Sequence, residues 1–290
     1  MEYAGGLVVN FELYLILALS LNLLVGYAGV VSLCHAAFYG VGAYAAALLM
    51  LRVGWSFGPA VLGAAALTTL LGVLVALPSL RLRGDYFIIA TVALQAIVYR
   101  ALYNLESVTR GPLGLPGIPP PRVAGVSVPP ESLRFVGLAT LCALGVTLVL
   151  ARLGASPFGR VLRAIRDDEA ALESLGRSAA AFKLRAFLVG SACAAVAGAL
   201  LAARLGTLEP GAFTIAESTL VLTALIVGGV GNVAGPVVGA AIVALLPEVL
   251  RWLGGGAAAA GEVRQIVFGL ALVYLLRRRP QGVAGVYRVE

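Results

Sequence analysis

Charge is scarce in this 290-residue chain: 12% of its residues are Asp, Glu, Lys or Arg, against 60% that are hydrophobic. With a mean hydropathy of +0.98, that balance excludes a soluble domain, which needs a polar surface. Histidine is nearly absent. One imidazole, His35, and no HExxH pair remove the His clusters of metalloenzymes, and no paired acids or nucleophile with its base mark a membrane-embedded enzyme. Cys34, Cys142 and Cys193 lie far apart inside apolar segments without paired spacing, so they read as small buried hydrophobes with no disulfide, metal or redox role. Lysine occurs once, at Lys183 between Phe182 and Leu184. A P-loop lysine follows glycine and precedes Ser or Thr, so the chain has no ATP site of that kind. No relay of carboxylates runs through the apolar segments, which argues against an ion-coupled carrier. Glu12, Arg100 and Glu106 are the charged exceptions, and Arg100 can snorkel to the interface. A basic soluble face with stacking aromatics is missing as well, so nucleic acid is not an expected partner.

Apolar length is what the chain has in abundance. A helix crosses the hydrocarbon core with about 20 residues, and that length recurs. We expect spans near Leu7 to Val25, Leu33 to Leu51, Pro59 to Leu77, Tyr86 to Leu102, Phe135 to Leu153, Arg185 to Leu205, Leu220 to Val230, Ala234 to Leu250 and Arg264 to Leu276. The seventh and the last are short, so either is a half helix or extends beyond its apolar run. Barrel strands alternate apolar and polar residues over about ten positions, and these continuous runs do not. The expected fold is all-α: one polytopic transmembrane bundle over residues 1–290 with about 8 to 10 spans. The first run has no basic segment before it and no small-residue cleavage site, so it is expected to remain as a span.

Orientation follows the basic residues of the short connections. Arg81 and Arg83 form one cluster, Arg160, Arg163, Arg166, Arg177 and Lys183 another, and Arg277, Arg278 and Arg279 a third. Nine spans put all three on the cytoplasmic side, with the N-terminus outside and the C-terminus inside. The net charge of +7 is then mostly topological. The external connection, 103–134, holds half of the fourteen prolines and should be a stiff, irregular cap. Such a loop either docks a partner or only covers the bundle's outer end.

The cytoplasmic connection, 154–184, contains GRVLRAIRDDEAALESLG from Gly159 to Gly176. Ser156 and Pro157 fit an N-cap and first helical position, and Gly176 is placed to end a helix in the left-handed conformation. Val161, Leu162, Ile165, Leu172 and Leu175 recur at helical spacing. One continuous helix would put Asp168 and Glu169 on that apolar face, so a break is expected, with Asp167 or Asp168 capping a second short helix through Leu175. A solvated amphipathic loop is the alternative.

The segment GRVLRAIRDDEAALESLGRSAAAFKLRAF resembles the cytoplasmic loop of the permease subunits of bacterial branched-chain amino-acid ABC importers, the LivM type. Four further blocks, in order, match that family's pattern: GYAGVVSLCHAAFYGVGAYAAALL from Gly26, RLRGDYFIIAT from Arg81, TRGPLGLPGI from Thr109 and VGGVGNVAGPVVGAAI from Val227. Arg110 and Leu113 stand where the family has a glycine and an asparagine, and Cys34 replaces a glycine before His35. The resemblance implies a permease in the inner membrane that works with a second homologous permease, two cytoplasmic ATP-binding subunits and a soluble substrate-binding protein outside. ATP would be bound by those partners, with no cofactor in this chain. Arg163, Arg166, Asp167, Asp168, Glu169, Leu172, Leu175 and Gly176 would then form the ATPase-coupling element. Relatives in that family handle branched-chain amino acids, urea or short amides; a carrier or passive channel is the reading outside it.

Polar groups inside spans are costly and tend to mark a pathway or a helix contact. Asn22, Ser32, His35, Tyr39, Gln95 and Asn232 are the candidates for a translocation path. His35 is read first as a hydrogen-bonded structural residue. Glycines around Gly26 to Gly42 and Gly228 to Gly239 suit close helix packing.

Overall fold

The computed structural model describes residues 2–79, 85–123 and 126–252, together with 266, 269, 270 and 282–285. Five helices are long and apolar enough to cross a membrane: Tyr3–Tyr27, Phe57–Leu74, Tyr86–Asn104, Leu133–Ala155 and Ala179–Leu205. The chain is therefore a multi-pass helical membrane protein. Its helices are α1 (Glu2–Asn22), α2 (His35–Arg52), α3 (Phe57–Ser79), α4 (Asp85–Asn104), α5 (Glu106–Thr109), α6 (Leu133–Ala155), α7 (Pro157–Asp167), α8 (Glu169–Ser174), α9 (Ala179–Leu205), α10 (Ile215–Gly228) and α11 (Ala234–Trp252). All of the expected span from Arg264 to Leu276 except 266, 269 and 270, and the clusters at Arg81, Arg83 and Arg277 to Arg279, lie outside the described residues.

The expected boundaries shift where polar groups intervene. α1 runs into a buried π-helical turn, Leu23–Tyr27, and the chain then travels without helix to Cys34 before α2 begins at His35 rather than Leu33. α10 spans Ile215–Gly228 instead of starting at Leu220, and ends at a glycine-rich break from Gly229 to Val233. Its 14 residues give a length of roughly 21 Å, short of the hydrocarbon core. α9 starts at Ala179, six residues before the expected Arg185, because the Ser178 hydroxyl caps it by accepting from Ala181 N. Lys183 and Arg185 thus belong to a helix that projects beyond its apolar run.

α1 and α9 form the centre. Each is 72% buried over its apolar window, against 28% for the windows of α3, α4 and α6, whose surface is mostly left uncovered by the rest of the chain. α2, 18 residues long, is sandwiched among them and buries twelve residues, His35 and Tyr39 included. Its approach to α9 is close because small residues meet there: a Cβ on Gly198 would lie 2.3 Å from Tyr39 O, and one on Gly42 2.4 Å from Ala195 Cα. Lipid offers no hydrophobic drive between helices, so such backbone proximity and its dispersion contacts hold the seam. A Phe38–Phe187–Phe87 chain of edge-on rings, with centroids 5.8 and 6.1 Å apart, fills the neighbouring layer.

The proline-rich connection is irregular, as expected, and pinned. β1 (Leu115–Pro116), β2 (Arg122–Val123), β3 (Val126–Ser127) and β4 (Thr207–Leu208) form two short antiparallel pairs, β1 with β4 and β2 with β3. The first ties the loop to the end of α9, and Ile118 N extends it by donating to Gly206 O at 3.0 Å. Arg110, at the position where the resembling family has glycine, adopts φ 62°. That left-handed geometry costs a side-chain-bearing residue roughly 1–2 kcal/mol, which accounts for the preference for glycine.

Candidate functional site

Between α6 and α9 the 154–184 connection folds as two short helices, α7 against the π-helical turn that follows α1 and α8 against α7 and the start of α9. α7 buries Leu162 and Ile165, and its arginines reach the bundle. Arg163 Nη2 donates to Gly154 O at 2.5 Å while its guanidinium lies 5.4 Å above the Tyr27 ring. Arg166 Nη1 donates to Gly26 O at 2.7 Å, and its side chain also pairs with Asp167 at 3.1 Å. Gly29 permits this contact twice over: its φ is +68°, and a Cβ there would meet Arg166 Cγ at 2.7 Å. Arg163 and Arg166 therefore fasten the insert to the π-helical end of α1 and do not project from it. Ser156 holds the N-cap position before Pro157, but its hydroxyl donates back to Leu153 O instead of capping the helix.

The helix break falls at Asp168. Its backbone is extended, and its carboxylate accepts from Ala171 N at 2.9 Å, so Asp168 rather than Asp167 caps α8. Glu169 pairs with Lys183 at 2.8 Å, tying α8 to the start of α9; the sequence reading contained no such pair. Leu172 is buried, and Gly176 ends the element at φ +76°. Leu175, expected on the apolar face with Leu162 and Ile165, is instead 78% exposed. The break resets the helical phase, and α8 closes at Ser174, leaving Leu175 as a protruding apolar tip.

The six residues read as a translocation path separate into two clusters and two isolated positions. At the first break, α2 begins inside the bundle and its leading N–H groups are met by side chains: Ala36 N donates to Ser218 Oγ at 2.8 Å and Ala37 N to Gln95 Oε1 at 2.7 Å. Gln95 Nε2 donates to Phe213 O at 2.9 Å, and Leu33 N to Thr91 Oγ1 at 3.2 Å. His35 Nε2 shares a 2.7 Å hydrogen bond with Ser20 Oγ. At the second break Asn22 Nδ2 donates to Asn232 O at 2.7 Å, and Asn22 Oδ1 accepts from Gly231 N at 3.0 Å. Asn232 Oδ1 in turn caps α11 through Gly235 N at 2.8 Å. Ser32 contacts Cys34 Sγ locally, and Tyr39 packs edge-on to Phe213 with centroids 5.3 Å apart.

Asn22, Gln95, Asn232, Thr91 and Ser218 satisfy backbone left open by interrupted helices, which is the condition for broken helices inside a membrane, whereas His35 bonds the Ser20 side chain. Ser20, Thr91 and Ser218 complete the set and were missed: the first two are hydroxyls in apolar runs, the third stands between Glu217 and Thr219, and only the partner across the fold gives each its meaning. Among the described residues no group of three His, Cys, Asp or Glu side chains could hold a metal ion.

The chain matches the family described as branched-chain amino acid transport system / permease component over residues 3–276. It is 34% identical to the high-affinity branched-chain amino acid transport system permease protein LivM of Salmonella typhimurium, over 96% of this chain and 69% of that protein. The probable LivM of Methanocaldococcus jannaschii is 29% identical over 94% of this chain and 90% of its own length, and the BraD permease of Pseudomonas aeruginosa 27% over 100% and 96%. No solved structure matches it. Those relatives are transport permease subunits rather than enzymes, and the chain belongs to the family of branched-chain amino acid transport system permease components.

Proposed function

We propose that this chain is the permease subunit of an ABC importer, passing branched-chain amino acids across the bacterial inner membrane while partner subunits hydrolyse ATP. It acts as one transmembrane domain with its N-terminus outside, its C-terminus in the cytoplasm and about 8 to 10 spans. Its partners are a second homologous permease, two cytoplasmic ATP-binding subunits and a soluble binding protein on the outer side. The observation that carries this reading is the latched insert: α8, capped by Asp168, stands at the end of the bundle with Leu175 78% exposed beyond it. An apolar tip flanked by the exposed Glu173 and Arg177 suits a cleft in a soluble partner. Movement of that tip reaches α1 through Arg163 and Arg166, and α1 carries partners of both helix breaks.

Leu175→Asp tests the coupling directly, because Leu175 contributes little to the bundle's own packing. The variant should insert and melt as the parent does while losing co-purification of the ATP-binding subunits and all uptake of labelled leucine. Normal uptake by Leu175→Asp removes α8 from the coupling role. Uptake by the intact complex, competed by isoleucine and valine and not by urea or acetamide, checks the substrate class.

A further inference from the structure

The end of the bundle remote from the insert holds a cavity of about 350 Å³ between α1, α9 and α11. Its size falls within the roughly 300–1,000 Å³ of small-molecule pockets. Its lining includes Arg204 and Asn10, Glu248 and the apolar Leu7, Val243 and Ala244. Arg204 lies in the last turn of α9 and donates through Nη1 to Asn10 Oδ1. The guanidinium passes close to Gly6, where a Cβ would stand 3.4 Å from Nη2. Among the described residues Arg204 has this amide and no carboxylate as its hydrogen-bonding partner. Glu248 Oε2, on α11, accepts from the Tyr3 hydroxyl.

Arginine's planar fork matches a carboxylate with two parallel N–H donors, and an amide partner leaves most of that fork unused. Asn10 Nδ2 adds a donor beside it. In the same lining the Glu248 carboxylate, which already accepts from Tyr3, is the acceptor for an ammonium group. Opposed charges joined by an aliphatic wall describe one ligand class.

We propose that this cavity binds an α-amino acid as its zwitterion, with the carboxylate on Arg204 and Asn10, the ammonium on Glu248 and an aliphatic side chain against Leu7, Val243 and Ala244. The proposal rests on the importer reading and deepens it, because urea or a short amide has no pair of charges for these walls.

Binding of labelled leucine to the assembled complex tests it, in phosphatidylglycerol nanodiscs without the external binding protein. The parent should bind leucine saturably, and Arg204→Gln and Glu248→Gln should each weaken it about tenfold or more, the loss of one charge-assisted contact. The fragments separate the two roles: 4-methylpentanoate, which lacks the ammonium, should lose affinity only in Arg204→Gln, and 3-methylbutylamine only in Glu248→Gln. Should Arg204→Gln fail to assemble, Asn10→Ala takes its place in the carboxylate arm. Equal leucine affinity in all variants overturns the site, as does retention of phosphatidylethanolamine by the parent, dependent on Arg204, with no leucine bound. Leucine uptake by the parent with its binding protein separates the two readings. Uptake without an effect of the variants removes only this cavity, whereas no amino-acid uptake at all removes the importer reading on which it stands.

Discussion

His35 is 1% exposed and holds Ser20 across the first break, while its Nδ1 has no hydrogen-bond partner among the described residues. Its ring also stands edge-on to Phe38 with centroids 6.3 Å apart. Both contacts are structural, so His35→Ala should lower the amount of folded protein by leaving Ser20 Oγ without its cross-helix partner, at about 1–3 kcal/mol. Uptake per folded complex should be unchanged. Measuring the two quantities separately decides the matter, and a well-folded His35→Ala complex with impaired uptake would move this imidazole into the mechanism. Glu12 shows the same logic of local supply: it is 4% exposed in α1, and Thr140 of α6 donates to its Oε1. The sequence marked both residues as unusual. It could not say what each would meet, because Ser20 lies 15 residues from His35 and Thr140 lies 128 from Glu12.

Among the elements, the α2–α9 seam is the most demanding contact. Gly198→Ala places a methyl group 2.3 Å from Tyr39 O and 2.6 Å from Ala43 N, both backbone atoms that cannot rotate away. The helices must separate, and the melting temperature in detergent should fall well below that of the parent. Gly137→Ala on the outer face of α6, where a Cβ meets nothing within 4 Å, should be neutral or stabilising by up to about 1 kcal/mol through helix propensity. Equal melting of the two variants would deny the seam its role. The two glycine-rich blocks also follow one course in the fold. Each ends a helix, passes a left-handed glycine, Gly29 in one and Gly229 and Gly231 in the other, and restarts a helix whose first N–H groups are met by buried or half-buried side chains. Asn22, near the end of α1, bonds into the second break from beside the first, so the two are mechanically joined.

At the scale of the whole molecule the insert and the Arg204 cavity occupy opposite ends of α1, one at Gly26 and Tyr27 and the other at Tyr3 to Asn10. The orientation proposed for the chain puts the first in the cytoplasm. A cysteine at the exposed Glu173 should therefore be labelled by an impermeant maleimide only after the cells are opened; labelling in intact cells reverses the topology. The sequence by itself determined the helical membrane class and the positions of most helices, and pointed to a break near Asp167 or Asp168 with an acidic cap. All of these depend on composition and on residues within a few positions of one another, where apolar length, proline, glycine and capping chemistry act locally. Only the tertiary structure decided that Leu175 points outward, that Arg163 and Arg166 fasten α7 to α1, and that Glu169 meets Lys183. It also decided that Asn10 and Arg204, 194 positions apart, share a cavity. The physical reason is that in lipid backbone polar groups must be satisfied inside the protein and buried side-chain polar groups are costly without a partner. Sequence reveals which groups need one, but which partner each receives depends on how the helices pack.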